Sequence, residues 1–124
     1  MRKSITAIVP FLNEEKFLEK SVNRLLEIDL FEEIILVDDA STDDSVEIAS
    51  ELSNKYANIS LIKLKNQSGK GYAVRAALDK IKTTHVIVHD ADLEYFPRDI
   101  PEMFNLAIQN LSLIHISEPT RRST

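Results

Sequence analysis

The 124-residue sequence contains no cysteine and no tryptophan, and it has only two glycines. The absence of cysteine excludes a disulfide framework and thiolate metal sites, and it fits a reducing compartment. The chain has no basic excess either, because its formal net charge is −5. We therefore expect no nucleic acid partner, since phosphate backbones require a basic face. No apolar run approaches the roughly 20 residues that cross a bilayer, so we expect no transmembrane segment in this chain.

What the sequence does contain is a regular alternation of strand-like and helix-like segments, with 44% hydrophobic residues to form a core. Strands are predicted at Ser4–Pro10, Glu33–Val37, Ile59–Lys65 and Thr84–His89. The first predicted helix has Asn13 as its N-cap, carries Phe17 on its apolar stripe and ends at about Ile28. A second helix is predicted to begin at Ser41 or Thr42, and a third to follow Gly69-Lys70-Gly71. A fourth is predicted from about Asp99 to Asn110. This order predicts an α/β fold with a doubly wound, mostly parallel sheet, in which the third strand lies nearer an edge.

The segment His85–Pro97, HVIVHDADLEYFP, places two carboxylates where an apolar strand ends. Side chains alternate across a strand, so in an extended chain Asp90 and Asp92 point the same way, with Cα atoms roughly 6–7 Å apart. Two carboxylates at this spacing suit one Mg²⁺ or Mn²⁺ ion, which in proteins often also contacts substrate phosphates. The pattern therefore predicts a metal site for a nucleotide diphosphate. The plain alternative is that both acids simply face water.

Polar clusters follow all four predicted strands. They are Pro10–Glu15, Asp38-Asp39, Gly69-Lys70-Gly71 and Asp90-Ala91-Asp92. Parallel sheets of this kind bind ligands beyond the carboxyl ends of their strands, so these clusters are expected to meet at one edge. Each also has a structural alternative: Asp38 or Asp39 could cap the following helix, and Gly-Lys-Gly is also an ordinary exposed turn. For His85 and His89 we favour packing or hydrogen bonding over metal binding.

Four motifs in this order, PFLNEE, EIILVDDASTDDS, GKGYAVRAAL and HDADLEYFPRDIP, resemble the N-terminal half of an inverting family 2 glycosyltransferase with the GT-A fold. The chain is most similar to the polyprenyl- or dolichyl-phosphate sugar synthases of that family. The resemblance covers about Lys3–Asn110. It implies that residues 1–110 are the nucleotide-sugar-binding part of a truncated glycosyltransferase domain.

The resemblance also implies roles for individual residues. Those expected to line the nucleotide pocket are Pro10, Phe11, Asn13 and Glu14, with Glu14 near the base or ribose. Asp39 is expected to accept a hydrogen bond from the base, and Asp38 to shape the loop or meet the ribose. The residues expected beside the nucleotide or its phosphates are Lys70 and Arg75. By the same resemblance, Asp90-Ala91-Asp92 is expected to be the metal motif, with Asp92 as the direct ligand and Asp90 either a second ligand or a contact to the ribose or sugar.

The activity implied is transfer of a sugar from a UDP- or GDP-sugar donor to a polyprenyl phosphate acceptor, with Mg²⁺ or Mn²⁺ on the diphosphate. No residue of this chain is assigned as the catalytic base, so the chain is expected to bind donor only and to be inactive in transfer. The implied location is the cytoplasm, at the cytoplasmic face of the membrane for the full-length protein. The base, the sugar and the oligomeric state are left open.

The C-terminal segment departs from the family pattern. LSLIHISEPTR, at Leu111–Arg121, reads like the translation of a sequencing adapter joined in frame. Residues 111–124 are therefore interpreted as a non-native tail and set aside from the fold prediction. The alternative is a genuine strand, LSLIHI, followed by a polar terminus.

A phospho-accepting, receiver-like signalling module is the alternative function, because it also combines a doubly wound sheet, paired acids and Mg²⁺. Such a module would carry its acid pair after the first strand, whereas that strand here ends in PFLNEE. A haloacid-dehalogenase-like phosphatase also has its Asp-x-Asp after the first strand. A Rossmann dehydrogenase is disfavoured because no Gly-x-Gly-x-x-Gly follows strand one.

Overall fold

The computed structural model describes residues 5–89, 91 and 114–116. In chain order the elements are β1 (Ile5–Phe11), α1 (Leu18–Ile28), β2 (Glu33–Asp38), α2 (Ser45–Lys55), β3 (Ile59–Lys63), α3 (Lys70–Leu78), β4 (His85–His89) and β5 (Ile114–Ile116). The four predicted strands are all present. The helix predicted over Asp99–Asn110 lies outside the described residues.

The strands form one sheet in the order β3-β2-β1-β4-β5, and every neighbouring pair is parallel. The prediction of a parallel α/β sheet is thus confirmed, and β3 lies at an edge as expected. Strands β1, β2 and β4 are buried along nearly their whole length. This explains their continuous apolar sequences, because a strand covered on both faces has no polar side.

Helices cover both faces of the sheet and bury two separate cores. Because side chains alternate along a strand, Ala7 and Val9 of β1 belong to the core with α1 and α2, whereas Ile8 belongs to the core with α3. Each fully buried Leu, Ile or Val stabilises the fold by about 1.5–3 kcal/mol. These two cores fix the strands, and the strands in turn fix the positions of the loops at their ends.

The prediction that Asn13 caps the first helix is wrong. Helix α1 begins at Leu18, and Phe17 occupies the N-cap position without a side-chain hydrogen bond. Asn13 has a left-handed backbone with φ of 54°, whereas an N-cap residue is extended. Its side-chain oxygen instead accepts the backbone N–H groups of Thr42 and Asp43, which lie in the loop before α2. Phe17, which we expected on the buried stripe, precedes the helix and is 40% exposed.

The start of α2 also differs from its prediction at Ser41 or Thr42. Helix α2 begins at Ser45, and Asp44 occupies the N-cap position without a side-chain hydrogen bond. Ser41 and Thr42 remain in the preceding loop, where both form hydrogen bonds with Asn13. A tertiary contact has therefore replaced the local capping that the sequence suggested.

Strand β5 lies within residues 111–124, the segment that the sequence led us to set aside. Ile114 pairs with Ile87 of β4, so this short stretch extends the sheet. The unpaired backbone groups of an edge strand can accept another extended segment whatever its source. The pairing therefore does not report the origin of the segment, and both the non-native tail and the boundary at residue 110 stay predictions.

The strand order reverses beside β1. The chain runs from β1 outwards to β2 and β3, and then returns to place β4 on the other side of β1. Open parallel sheets bind ligands beyond the carboxyl ends of their strands at such a reversal. The strands that end there are β1, at Phe11, and β4, at His89.

Candidate functional site

Three loops follow the carboxyl ends of β1, β2 and β3, and we call them loop 1 (residues 12–17), loop 2 (39–44) and loop 3 (64–69). Loops 1 and 2 are joined through Asn13. The Asn13 backbone N–H donates to the Ser41 hydroxyl at 2.9 Å. Its side-chain oxygen accepts the backbone N–H groups of Thr42 at 2.8 Å and Asp43 at 3.2 Å. One amide side chain therefore organises the turn that leads into α2.

The rest of loop 1 is bound in the same way. The Glu14 N–H donates to the Ser45 hydroxyl at 2.7 Å, and the Glu15 N–H donates to a carboxylate oxygen of Asp43 at 3.2 Å. In the opposite direction, the Asp44 N–H donates to the Glu15 carboxylate at 2.9 Å. Side-chain oxygens of each loop thus satisfy backbone N–H groups of the other, and the two loops form one unit.

Asp43 has a shifted pKa at this junction. Burial raises the pKa of its carboxyl group, but hydrogen bonds from the Ser45 hydroxyl and from the backbone N–H groups of Ser45 and Glu15 outweigh that effect. The pKa of Asp43 therefore lies below its ordinary value, because these donors favour the charged form. The carboxylate stays ionised at neutral pH and keeps the two loops joined.

Asp38 and Asp39, at the end of β2, are both buried and serve different loops. Oδ1 of Asp38 accepts the Ser41 N–H at 2.9 Å, a contact from the end of β2 to loop 2. Asp39 reaches loop 3, where its two carboxylate oxygens accept the N–H groups of Ser68 at 2.7 Å and Gly69 at 3.0 Å. Neither carboxylate caps α2. Loop 2 is therefore bonded to loop 1 on one side and to loop 3 on the other.

Pro10 and Phe11, expected to line a nucleotide pocket, are buried at the end of β1. The Phe11 side chain belongs to the core with α1 and α2, and its carbonyl oxygen accepts the Asp39 N–H at 3.0 Å. In this structure Phe11 supports the floor of the site from below. Asn13 is exposed and Glu14 is partly exposed above it.

Lys70 and Arg75 both lie on α3, but at different distances along the helix axis from the carboxyl edge of the sheet. Lys70 is the first residue of the helix, at the same edge of the sheet as loops 1 and 2. Arg75 is exposed and lies roughly 7 Å further along the helix axis, at 1.5 Å per residue. The structure thus brings Lys70 to the loop cluster and places the backbone of Arg75 below it.

The metal motif can be followed only in part. Asp90 and Asp92 lie outside the described residues, whereas Ala91 between them is buried in the core with α1 and α2. In the described part of the chain, no group of three or more His, Asp or Glu side chains could hold a metal ion. His85 and His89 are buried in β4, as their predicted packing role requires.

Sequence reasoning missed the residues that join the loops. The side-chain oxygens of Ser41, Asp43 and Ser45 accept hydrogen bonds from backbone N–H groups of loop 1. The backbone N–H of Ser68 donates a hydrogen bond to Asp39. The only local signal was the cluster of short polar residues STDDS, which we interpreted as a helix start. Its partners lie 28 to 31 residues away in the chain, where a local rule does not reach.

A parallel sheet with interlocked polar loops at a strand-order reversal defines the class of α/β ligand-binding domains. The family model described as Glycosyl transferase family 2 matches residues 6–121, and the chain belongs to that family. The match continues past Asn110, where the resemblance carried by the four motifs ended.

Relatives and solved structures agree with this family. An undecaprenyl-phosphate 4-deoxy-4-formamido-L-arabinose transferase from Photorhabdus laumondii subsp. laumondii is 28% identical over an alignment of 127 positions that covers 98% of this chain and 39% of the relative. A mannosyltransferase from Pyrobaculum calidifontis, solved with GDP-Man and Mn²⁺, gives a TM-score of 0.70 at 28% identity, over 80% of this chain and 30% of that one.

A third protein of similar structure is glucosyl-3-phosphoglycerate synthase from Mycobacterium tuberculosis, solved with Mn²⁺, UDP and glucosyl-3-phosphoglycerate. Its TM-score is 0.67 at 26% identity, over 89% of this chain and 40% of that one. The expected GT-A fold class is thereby confirmed. The chain spans about 39% of the length of the curated relative above. No helix in the described ranges is long and apolar enough to cross a membrane.

Proposed function

We propose that this chain binds the nucleotide diphosphate part of a UDP- or GDP-sugar, as the donor-binding part of an enzyme that transfers the sugar to a polyprenyl phosphate. The observation that carries the proposal is the convergence of loops 1, 2 and 3 at the carboxyl edge of a family 2 sheet. Unrelated surface loops need not share hydrogen bonds, whereas these loops are joined through buried and partly buried carboxylates. This arrangement is typical of loops that form one site.

The residues proposed to contact or frame the nucleotide follow from that arrangement. Asn13 and Glu14 belong to loop 1, Asp38 ends β2 and binds loop 2 through Ser41, and Pro10 and Phe11 form the floor beneath them. Lys70 begins α3 at the same edge and supplies a cation for an anionic diphosphate. The exposed Arg75 reaches the phosphates only through its long side chain.

We propose a divalent cation, Mg²⁺ or Mn²⁺, held by Asp92 with Asp90 as second ligand or as a contact to the ribose or sugar. Two carboxylates are hard oxygen donors, and such ions are usually held by one or two carboxylates together with substrate phosphates. Ala91, between the two acids, is buried just beyond the end of β4, at the strand-order reversal. The two structural relatives described above were both solved with Mn²⁺.

Sugar transfer requires the diphosphate to leave from the anomeric carbon. A bound cation supplies charge neutralisation on the departing diphosphate. The chain's own residues bind and orient the donor, and Lys70 adds a second positive charge beside the phosphates. A lipid phosphate acceptor is already anionic at neutral pH, so it needs little help from a general base, and no base is assigned among the residues of this chain.

The acceptor and the location are proposed on chemical grounds. The relative named above acts, by its name, on undecaprenyl phosphate, a lipid. An enzyme with such an acceptor must work at a membrane surface, and we propose the cytoplasmic face. Because this chain spans about 39% of that relative, we propose that the chain itself binds donor without completing the transfer.

The receiver-like signalling module is not favoured. The family match covers residues 6–121, and the first strand ends in buried Pro10 and Phe11 rather than in an acid pair. Formation of an acyl phosphate from a small phosphodonor and Mg²⁺ would be the positive sign of a receiver. We expect none.

Isothermal titration calorimetry tests the proposal. UDP and GDP are each titrated into the folded chain with Mn²⁺ and with EDTA. We expect one of the two nucleotides to bind in the presence of Mn²⁺, and we expect Asp92→Ala to weaken that binding by about 10–100-fold through the loss of a carboxylate ligand.

Asp79→Ala is the matched control, because Asp79 is an exposed aspartate at the C-terminal end of α3, away from the carboxyl edge. Its binding should equal that of the wild type. Failure of the folded wild type to bind either nucleotide would contradict the proposal. Equal binding in EDTA and Mn²⁺, or Mn²⁺-dependent binding that Asp92→Ala leaves unchanged, would contradict the metal assignment.

A further inference from the structure

Loop 3 is held to the end of β2 at both of its ends: the Leu64 N–H donates to the Asp38 carbonyl at 2.9 Å, and the far end, at Ser68 and Gly69, is held by one carboxylate. The two hydrogen bonds from Ser68 and Gly69 to Asp39 use both oxygens, at 2.7 and 3.0 Å. Within the described ranges, the other hydrogen bonds of residues 66–69 are local, from the Ser68 hydroxyl to Asn66 and from Ala73 to Gly69. The position of Ser68 and Gly69 relative to the sheet therefore depends on Asp39.

The backbone at Gly69 makes such a restraint necessary. Its φ of 95° and ψ of 160° lie in a region that is essentially restricted to glycine. A glycine reaches many other conformations at little cost, so this one persists only when neighbouring contacts hold it. Gly69 directly precedes Lys70, the first residue of α3. A change at Gly69 would therefore move Lys70.

Asp39 is well suited to be the fixed point. It is 5% exposed, it directly follows the last residue of β2, and its own N–H donates to the Phe11 carbonyl at 3.0 Å. The backbone that carries this carboxylate is thus tied to two strands of the sheet. Ala73 and Ala77 pack α3 against the sheet, and Asp39 holds Gly69, the residue that directly precedes the helix.

We propose that Asp39 is a positioning residue for Lys70. It holds the start of α3 so that the Lys70 ammonium group meets the diphosphate of the donor. This inference rests on the proposed function, and it is additional to the expectation that Asp39 accepts a hydrogen bond from the base, because two carboxylate oxygens have acceptor sites beyond the two N–H groups of loop 3. Asp39 acts through loop 3 and has no direct contact with the phosphates.

Three possible roles of Asp39 predict different signs for a variant that removes its charge. By Coulomb attraction and repulsion alone, a carboxylate near a diphosphate repels it, so Asp39→Asn would tighten binding of pyrophosphate. A carboxylate that contacts only the base would leave pyrophosphate binding unchanged, because pyrophosphate has no base. The positioning role predicts weaker binding, since Asn has only one acceptor oxygen for two N–H groups.

The experiment compares inorganic pyrophosphate with the nucleoside diphosphate that binds the wild type, both with Mn²⁺, by calorimetry. We expect Asp39→Asn to weaken pyrophosphate binding about tenfold, for the loss of a hydrogen bond to a charged group, and nucleoside diphosphate binding by at least the same factor. In a Lys70→Gln background, Asp39→Asn should have no further effect on pyrophosphate binding. Asp79→Asn serves as the matched control, with unchanged affinity for both probes.

Weaker nucleotide binding with unchanged pyrophosphate binding would overturn the inference, and so would tighter pyrophosphate binding or additive losses of pyrophosphate binding in the double variant. If Asp39→Asn does not fold, Gly69→Ala applies the same test from the loop side. An equal loss for both probes is expected there, and unchanged pyrophosphate binding would overturn the inference.

Hydrogen exchange separates this inference from the proposed function. The amides of Ser68 and Gly69 should exchange faster in Asp39→Asn than in the wild type, whether or not a nucleotide binds. Unchanged exchange would overturn the positioning role. A folded wild type that binds neither probe would overturn the proposed function, and with it the role of Lys70 on which this inference rests.

Discussion

The carboxyl edge of the sheet and its amino edge belong to the same strands, yet their loops satisfy backbone polar groups in different ways. At the carboxyl edge, backbone N–H groups donate to the side-chain oxygens of Asn13, Asp39 and Asp43. At the amino edge they donate to backbone carbonyls, as from Glu32 to Ile5 at 2.9 Å and from Ile34 to Asn58 at 2.9 Å. The position of a side-chain acceptor is set by the tertiary structure around it. A loop whose N–H groups donate to such acceptors is therefore held in one conformation.

Backbone strain follows the same division. In the part of the chain that the structure describes, four residues have positive φ, and three of them, Asn13, Ala40 and Gly69, lie at the carboxyl edge. The fourth, Asp29, is the ordinary left-handed end of α1. Strained residues persist only where the surroundings hold them, and they concentrate at functional sites. Their distribution supports the carboxyl edge as the site.

The amino edge shows that a concave surface alone does not mark a site. A shallow cleft of about 350 Å³ opens there. Its lining residues are Glu32, Glu33, Ala57, Asn58, Lys82 and Thr83. Side chains form hydrogen bonds at its walls, Thr83 with Thr6 at 2.8 Å and Ser60 with Glu33 at 3.5 Å, but neither of these bonds satisfies a backbone N–H group as those of loops 1, 2 and 3 do. This cleft therefore provides internal controls for tests of the carboxyl edge.

The largest effect on stability is expected at Gly69. Gly69→Ala places a Cβ on a backbone with φ of 95°, and we expect a loss of about 2 kcal/mol in the free energy of unfolding. Gly71, inside α3, is the matched control. An added Cβ there meets open space, so Gly71→Ala should leave stability unchanged or raise it by up to about 1 kcal/mol. Urea unfolding measures both, and equal losses would contradict the assigned strain.

Asn13 should rank next. Asn13→Ala removes the acceptor for the Thr42 and Asp43 N–H groups and leaves alanine in a left-handed backbone. We expect a loss of about 1–2 kcal/mol in urea unfolding, since water satisfies part of the exposed N–H groups. Asn58→Ala, in the cleft of the amino edge, should change stability by no more than about 0.5 kcal/mol. A loss at Asn58 as large as that at Asn13 would remove the contrast between the edges.

The contribution of Asp43 to the stability of the carboxyl edge depends on pH. Because its folded pKa is lowered, its charged form stabilises the native state at any pH above the ordinary value of about 3.9. This contribution is lost as the pH falls through the folded pKa. In urea unfolding at pH 7, Asp43→Asn should therefore have a free energy of unfolding lower than that of the wild type by about 1 kcal/mol, and the difference should shrink below about pH 4. A difference that is constant from pH 7 to pH 3 would disprove the assigned cause.

The smallest effect is expected at Ala40, which has φ of 68°. Ala40→Gly removes the steric cost of the left-handed conformation but gives the unfolded chain more freedom. We expect a net gain of about 0.5 kcal/mol in the free energy of unfolding. A loss instead would mean that the alanine side chain has a packing role in loop 2.

The strands could be predicted from the sequence because their signal is local. The runs EIILV and HVIVH consist mostly of apolar, β-branched residues, and the structure places strands at Glu33–Asp38 and His85–His89. Burial on both faces requires only such a run, whatever the neighbouring strand is. The strand-order reversal beside β1 was not predicted, because nothing in a single strand identifies its neighbours.

The helix starts and the loop contacts could not be predicted, because distant partners determine them. Local rules make Asn13 an N-cap and Ser41 or Thr42 another, but Asn13 and Thr42 bond to each other across 29 positions of sequence. Asp39 was placed correctly at the edge by its position after β2. Its partners in loop 3 became visible only in the folded chain.

One measurement tests the central claim most directly: backbone amide chemical shifts of the labelled chain during titration with UDP or GDP and Mg²⁺. The account predicts saturable shifts concentrated in residues 12–15, 39–45 and 68–71, with the amino-edge cleft unaffected. Saturable shifts centred on Glu32, Asn58 and Thr83, with the three loops unchanged, would contradict it.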